Sequence, residues 1–269
     1  MSEVLTSVQN PRVKRVVRLR DRRARDQEGV FVIEGYREIL RAVEQRLPIQ
    51  DLFTCAELFL GENEGALIAG AVAHCGAVPC ATARTVFQKM SYRDRPDGLL
   101  AIAPQPNWSL SRLPLGERPL YVVATSIEKP GNLGTILRSS DAVGVTGVIV
   151  CDPVTDIFNP NVVRASVGTL FTVPIAVAST AATLAWLRAQ GVWLVATSPA
   201  ASTDYSDVDL TRACAIILGS EQYGLPEEWL AGTDQQVRIP MHGRADSINV
   251  AMAATVLTFE AQRQRRGAR

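Results

Sequence analysis

The sequence predicts an α/β protein in two parts: a C-terminal domain on a mostly parallel sheet, and a smaller α/β domain before it. Three observations predict it. Short apolar runs rich in Val, Ile and Ala alternate with helix-period segments along the chain. In the second half those runs are apolar throughout, as strands covered on both faces must be. Residues 104–119 hold four prolines, which restrict themselves and the residues before them, and so read as a linker. The predicted boundaries are residues 1–103, a linker over 104–118, and 119–269. A chain of 269 residues, 47% hydrophobic, can bury a core in each part.

The first domain opens with a helix over residues 11–25, whose apolar stripe is Val13, Val16, Val17 and Leu19, ended by Gly29. Val30–Ile33 reads as a strand and residues 36–46 as an amphipathic helix carrying Ile39, Leu40 and Val43. Asp51–Thr54 is a short strand, 64–74 a helix, 77–80 a strand and 83–90 a helix. After the linker, 120–124 is a strand, 133–143 a helix and 147–151 a strand. A helix over 181–190 stops at Gly191, and strands follow at 192–196, 215–218 and 237–239. A long helix over 248–263 closes the chain. In such sheets ligands bind beyond the C-terminal ends of the strands.

A formal charge of +1 hides a segregation. Residues 1–25 hold Arg12, Lys14, Arg15, Arg18, Arg20, Arg22, Arg23 and Arg25 against Glu3 and Asp21. The last ten residues add Arg263, Arg265, Arg266 and Arg269 against Glu260, so the body between is net acidic. Basic ends on an acidic body suit a polyanion, and arginine forks suit phosphate. Five cysteines, none in a Cys-x-x-Cys pair, with only two histidines, imply no metal site and reduced, buried thiols. No run approaches the roughly 20 apolar residues that cross a bilayer, and the first residues lack the apolar stretch of a signal peptide. The expectation is a cytoplasmic protein away from membranes.

Three loops at predicted strand ends carry the chemistry. In Lys129-Pro-Gly-Asn-Leu-Gly-Thr-Ile-Leu-Arg138 a Pro-Gly turn precedes Asn132, read as the cap of the next helix, and Arg138 lies in its second turn. This segment lacks the Gly-x-Gly-x-x-Gly of a dinucleotide site, which argues against a nicotinamide dehydrogenase, and no phosphate-binding P-loop occurs. In Gly219-Ser-Glu221-Gln-Tyr-Gly224-Leu two glycines flank a carboxylate after a buried strand. In Ile239-Pro-Met241-His-Gly243, followed by Asp246-Ser247-Ile248-Asn249-Val250, a strand stops at proline and polar residues open a helix. Capping explains Asp246 or Ser247 there, without requiring Asn249.

Together the three loops resemble the SpoU family of RNA ribose 2′-O-methyltransferases, in the SPOUT class: Asn132–Arg138, Gly219–Leu225 and Ile239–Val250 follow its three motifs in order over about residues 119–263. The segment 158–168 is similar to a further family element. Phe31-Val-Ile-Glu-Gly35 and the helix after it resemble the family's substrate-binding domain, which is similar to ribosomal protein L30e. The resemblance implies a trefoil knot in the C-terminal domain, S-adenosylmethionine as cofactor, and a homodimer. It implies Arg138 as the residue that polarises, deprotonates or orients the ribose hydroxyl, supported by Asn132, Glu221, Ser247 and Asn249. Glu221 would fix a guanidinium through a bidentate pair. The cofactor would lie against Leu218, Gly219, Ile239, Met241, Gly243 and Ile248. RNA, ribosomal or transfer, would be held by Arg12, Lys14, Arg18, Arg20, Arg22, Arg23, Arg25, Lys129 and Arg164. The chain departs from the family pattern at Thr125 and Lys129, where acidic residues are frequent. Two other readings stay open: an RNA-binding protein with an inactive methyltransferase body, and a base methyltransferase of the guanine N1 type.

Overall fold

The computed structural model describes residues 4–267; Glu3 and Arg269, counted above among the terminal charges, lie outside them. Packing divides the chain into two units. One holds residues up to Asn107 together with Asp156–Thr172, the other Trp108–Thr155 and Val173 onward. The stretch expected as a linker over 104–118 is instead shared between the units, dividing after Asn107, and two further divisions fall after Thr155 and Thr172.

In the first unit the Asn10 side chain accepts from the Arg12 N–H at 2.9 Å and Pro11 presets the first turn of α1 (Pro11–Arg18). The single helix expected over 11–25 is two helices. Asp21 accepts from the Arg23 N–H at 2.7 Å and caps α2 (Arg22–Glu28). A cap residue needs non-helical backbone, so the chain must stop and restart. Gly29, at φ 63°, ends α2 in the left-handed region that glycine adopts without strain. There follow β1 (Val30–Glu34), α3 (Tyr36–Glu44), β2 (Asp51–Thr54), α4 (Glu64–Cys75), β3 (Val78–Ala81), α5 (Arg84–Met90) and β4 (Leu99–Pro104). Strand order is β1-β4-β2-β3, with β4 antiparallel to both neighbours and β2 parallel to β3. Sequence reading left β4 unassigned beside the linker, yet its apolar side chains are buried mid-sheet. Val16, Leu19, Phe53, Phe87, Leu100 and Ile102 form the core beneath α1.

The second unit begins with β5 (Leu120–Thr125), α6 (Pro130–Val143) and β6 (Gly147–Cys151). The chain then contributes α7 (Pro160–Ser166) to the first unit, where the Phe158 and Phe171 rings lie 4.9 and 6.0 Å from that of Phe31. It resumes the second unit with β7 (Ile175–Ala178), α8 (Thr180–Ala189), β8 (Trp193–Thr197), β9 (Thr203–Asp204), β10 (Cys214–Leu218), α9 (Glu227–Gly232), β11 (Gln235–Arg238) and α10 (Val250–Gly267). Seven strands in the order β7-β6-β5-β10-β8-β11-β9 are parallel throughout. The central strands β5, β6 and β10 are buried along their whole length, as their unbroken apolar runs require. All five cysteines are free and buried, and burial pushes the Cys55, Cys75, Cys151 and Cys214 thiols up. Among the described residues no helix is long and apolar enough to cross a membrane, and no His, Cys, Asp and Glu cluster fits a metal ion.

Arg25 ties α2 to the 156–172 segment. It is 1% exposed, donates through Nε to Asp156 at 2.9 Å and through Nη1 to the Leu19 and Arg20 carbonyls at 2.8 Å. Removing one partner of a buried ion pair strands the other charge. Arg25→Ala therefore lowers stability by about 3–5 kcal/mol in urea unfolding. Arg22→Ala, whose pair with Asp26 is exposed, changes it by under about 1 kcal/mol.

Candidate active site

The parallel sheet sends β5, β10, β8 and β11 to the same edge. Their C-terminal loops surround a cleft of about 650 Å³, built wholly within the second unit. It is lined by Leu218, Gly219, Ile239, Met241, Ser247 and Ile248 among others, and by Glu221, Asn249 and Lys129 at its polar side.

The β10 loop folds tightly. Ser220 and Gly224 exchange N–H···O bonds of 2.9 and 3.1 Å, and the Tyr223 N–H donates to Ser220 Oγ at 3.0 Å. A Cβ on Gly219 would lie 2.2 Å from the Gly224 carbonyl carbon and 2.5 Å from the Leu225 nitrogen, so only glycine permits this return. The turn presents Glu221 toward α6.

Hydrogen bonds join the three loops. Asn132 Nδ2 donates to Glu221 Oε1 at 2.6 Å, and the Glu128 N–H donates to Glu221 Oε2 at 3.2 Å. Asn249 Nδ2 donates to Asn132 Oδ1 at 3.1 Å, while Asn249 Oδ1 accepts from the Ala251 N–H at 2.9 Å. Three expected roles change as a result. Asn132 does not cap α6; Lys129 occupies the cap position, and Asn132 lies inside the first turn with its amide on Glu221. Asn249, rather than Asp246 or Ser247, satisfies the first turn of α10. Glu221 grips the Asn132 amide and main chain instead of a guanidinium, which corrects the expected bidentate pair.

Burial acts to raise the Glu221 pKa, but the bonds from Asn132 and the Glu128 and Lys129 N–H groups outweigh it and hold it below the usual carboxylate value. A carboxylate depressed by folding stabilises above its unfolded pKa and loses that contribution as pH falls through the folded one. The contribution of Glu221 to the three-loop arrangement is therefore complete through neutral pH and is lost as pH falls below about 4.3, the ordinary glutamate value. Fluorescence-monitored unfolding against pH shows that acid limb, and Glu221→Gln flattens it.

Arg138 is exposed on α6, and no described residue pairs with its side chain. It does not line the cleft of its own chain, and neither does Gly243. The cleft includes Thr197, Ser198 and Pro199, which sequence reading passed over; the signal was there, since Ser-Pro follows an apolar strand. Thr125, where acidic residues are frequent in the resembling family, is buried with its hydroxyl unpartnered.

The basic N-terminal run is largely engaged inside the first unit. Arg12 and Arg15 bond Asp51 at 2.7 and 3.1 Å, Arg15 and Arg18 pair with Glu28, and Arg22 pairs with Asp26. Arg20 donates to the carbonyls of Lys89, Met90 and Ser91. Arg25, buried on Asp156, is not available to RNA, which corrects its expected role. Lys14, Arg23, Lys129 and Arg164 are exposed, with no charge partner among the described residues.

The chain is similar to known proteins over most of its length. The profile of the SpoU rRNA Methylase family matches residues 119–259, and that of the MRM3-like substrate binding domain residues 10–101. A 23S rRNA (uridine(2479)-2′-O)-methyltransferase of Streptomyces viridochromogenes is 34% identical over 255 residues, covering 92% of this chain and 87% of its own. A 23S rRNA (guanosine(2553)-2′-O)-methyltransferase of Bacillus subtilis is 26% identical over 95% of this chain and 97% of its own. The crystal structure of an AdoMet-bound rRNA methyltransferase from Sinorhizobium meliloti superposes with a TM-score of 0.88 at 34% identity, covering 97% of both chains.

Proposed function

Because the chain belongs to the SpoU rRNA methylase family, we propose that it transfers a methyl group from S-adenosylmethionine to a ribose 2′-hydroxyl of ribosomal RNA. The observation that carries this reading is the hydrogen-bonded series Glu221–Asn132–Asn249, which joins three strand-end loops beside one cleft.

The cleft fits the cofactor. Its volume lies in the range of small-molecule sites, about 300–1,000 Å³. Leu218, Ile239 and Ile248 offer apolar walls for a flat ring, and the main chain around Gly219 offers N–H and C=O groups to a purine edge. When bound, S-adenosylmethionine supplies an electrophilic methyl on a sulfonium. The protein's task is to hold the hydroxyl in line and take up its proton, and positioning of this kind can contribute roughly 7–11 kcal/mol in ideal cases. Arg138, its five donors uncommitted, orients the hydroxyl and its neighbouring phosphate or receives the proton; the high arginine pKa favours the first role. Asn132 and Asn249, cross-bonded, fix the start of α6 against that of α10.

Since Arg138 stands outside its own chain's cleft, a second copy that brings its Arg138 to this cleft completes the site. The homodimer is thus part of the reading. Met252 and Phe259, 62% and 51% exposed one α10 turn-pair apart, give it an apolar stripe; sedimentation equilibrium decides it. The trefoil knot and a cytoplasmic location, where ribosomal RNA is met, belong to the same proposal.

The test uses methyl-labelled cofactor with unmodified 23S rRNA and with bulk tRNA. Label in 23S rRNA at one alkali-resistant linkage is the expected result. Label on a base indicates the guanine N1 alternative, and tight binding without label the inactive one.

A further inference from the structure

The sequence placed RNA on the arginines of residues 12–25, but the structure turns several of them inward to other ends. Arg20 is the instructive one. Its guanidinium ties down the carbonyls at the end of α5, with Nη2 2.6 Å from the Ser91 oxygen, and lies 6.0 Å from the Tyr92 ring centroid. What it steadies is the loop between α5 and β4, Ser91-Tyr-Arg-Asp-Arg-Pro-Asp97.

That loop is held from below by buried groups. The Glu34 carboxylate accepts from Ser91 Oγ and, at 2.7 Å, from the Tyr92 N–H. Arg93 Nη2 donates to the Glu34 carbonyl at 2.7 Å and to Glu38 at 2.6 Å. Asp97 accepts from the Tyr36 N–H at 2.7 Å. Gly35 permits the close approach, at φ 114°, where a Cβ would lie 2.5 Å from the Arg93 guanidinium. A backbone so fixed leaves Tyr92, Asp94 and Arg95 exposed at its tip.

The 156–172 segment completes the surface within the same unit. Asn161 Nδ2 donates to the Tyr92 hydroxyl at 3.1 Å and so fixes the ring. Arg164, three residues on along α7, faces the same side, exposed and unpaired, as is Arg95. A tyrosine ring immobilised by a cation on one side and an amide at its hydroxyl, yet 39% exposed, serves no core. With two uncommitted guanidinium groups nearby, it has the chemistry of a single-stranded RNA platform: a flat face for a base and cations for the flanking phosphates.

We propose that the Tyr92 ring is the stacking platform for an unpaired base of the substrate RNA, with Arg95 and Arg164 on the phosphates beside it. This rests on the RNA-methyltransferase reading and adds to it the place where the first unit grips the substrate. The probe is an unmodified 23S rRNA transcript, with filter binding for affinity and methyl transfer for KM and kcat. Tyr92→Ala is expected to weaken binding on the order of 10- to 100-fold and to raise KM with kcat little changed. Tyr92→Trp keeps the affinity, because the flat face remains. Tyr92→Phe keeps it within about threefold, since the hydroxyl only fixes the ring. Arg95→Gln and Arg164→Gln each lower the slope of log affinity against log salt by about one, and Tyr92→Ala leaves that slope unchanged. Wild-type affinity in Tyr92→Ala overturns the proposal, and so does a Tyr92→Phe loss as large as that of alanine, which would mean the ring only props the loop. The binding readout needs no turnover. If the wild type binds the transcript through Tyr92 but transfers no methyl, the functional reading fails while the platform stands.

Discussion

Arg138→Ala lowers methyl transfer to rRNA by on the order of 10²-fold, the scale of a lost positioning contact at the reacting atoms, while affinity for S-adenosylmethionine holds. The side chain is exposed and no described residue pairs with it, so its removal leaves no stranded charge and no cavity. Its loss falls on the reacting hydroxyl and the phosphate beside it. Arg138→Lys should land between: the charge survives, but the planar fork that could hold hydroxyl and phosphate together does not. Single-turnover transfer with labelled cofactor separates chemistry from product release, and calorimetry reports cofactor binding independently. A near-normal rate in Arg138→Ala would move the role to another residue.

The second large effect is at Gly219. The added methyl of Gly219→Ala meets main-chain atoms of Gly224 and Leu225 at 2.2–2.5 Å, and main chain cannot swing aside as a flexible side chain can. The loop must open, the paired Ser220–Gly224 bonds break, and Glu221 is carried away from Asn132. Cofactor affinity then falls on the order of 100-fold or more. Global stability falls by about 1–3 kcal/mol, since the buried strand β10 ends before the clash. Gly224→Ala is the control. Gly224 has φ +69° with open space around it, so alanine there meets only the left-handed penalty of roughly 1–2 kcal/mol. Calorimetric titration of both variants with S-adenosylmethionine distinguishes a steric block from general loop strain.

Much of this was legible in the residues. The apolar runs at 120–124, 147–151 and 215–218 announced a parallel sheet because strands covered on both faces have no polar side to show. Two of the three loops were visible as polar and glycine-rich punctuation after the first and last of those runs, and the third after the short strand at 237–239. Individual side-chain roles were not, because a carboxylamide looks the same whether it caps its own helix or reaches another loop. Asn132 and Asn249 exchanged their expected parts for that reason. The N-terminal arginines misled in a related way. Charge density along a chain says nothing about which carboxylates fold back on it, and Glu28 and Asp51 neutralise three of those groups. Burial pushes the Glu28 pKa up, yet Arg15 and Arg18 bring it lower overall, the signature of an anion well served by its neighbours.

The excursion of residues 156–172 bears on how such proteins can be rebuilt by recombination. A cut in the proline-rich stretch looks like a natural joint for exchanging one half with a cousin's. A fragment ending there would carry Arg25 without Asp156 and Phe31 without Phe158 and Phe171. The complementary fragment would bear those groups with nothing to bury them. Gene fusion at that joint therefore succeeds only where the donor's excursion travels with its matching head, so the two parts are inherited as a set.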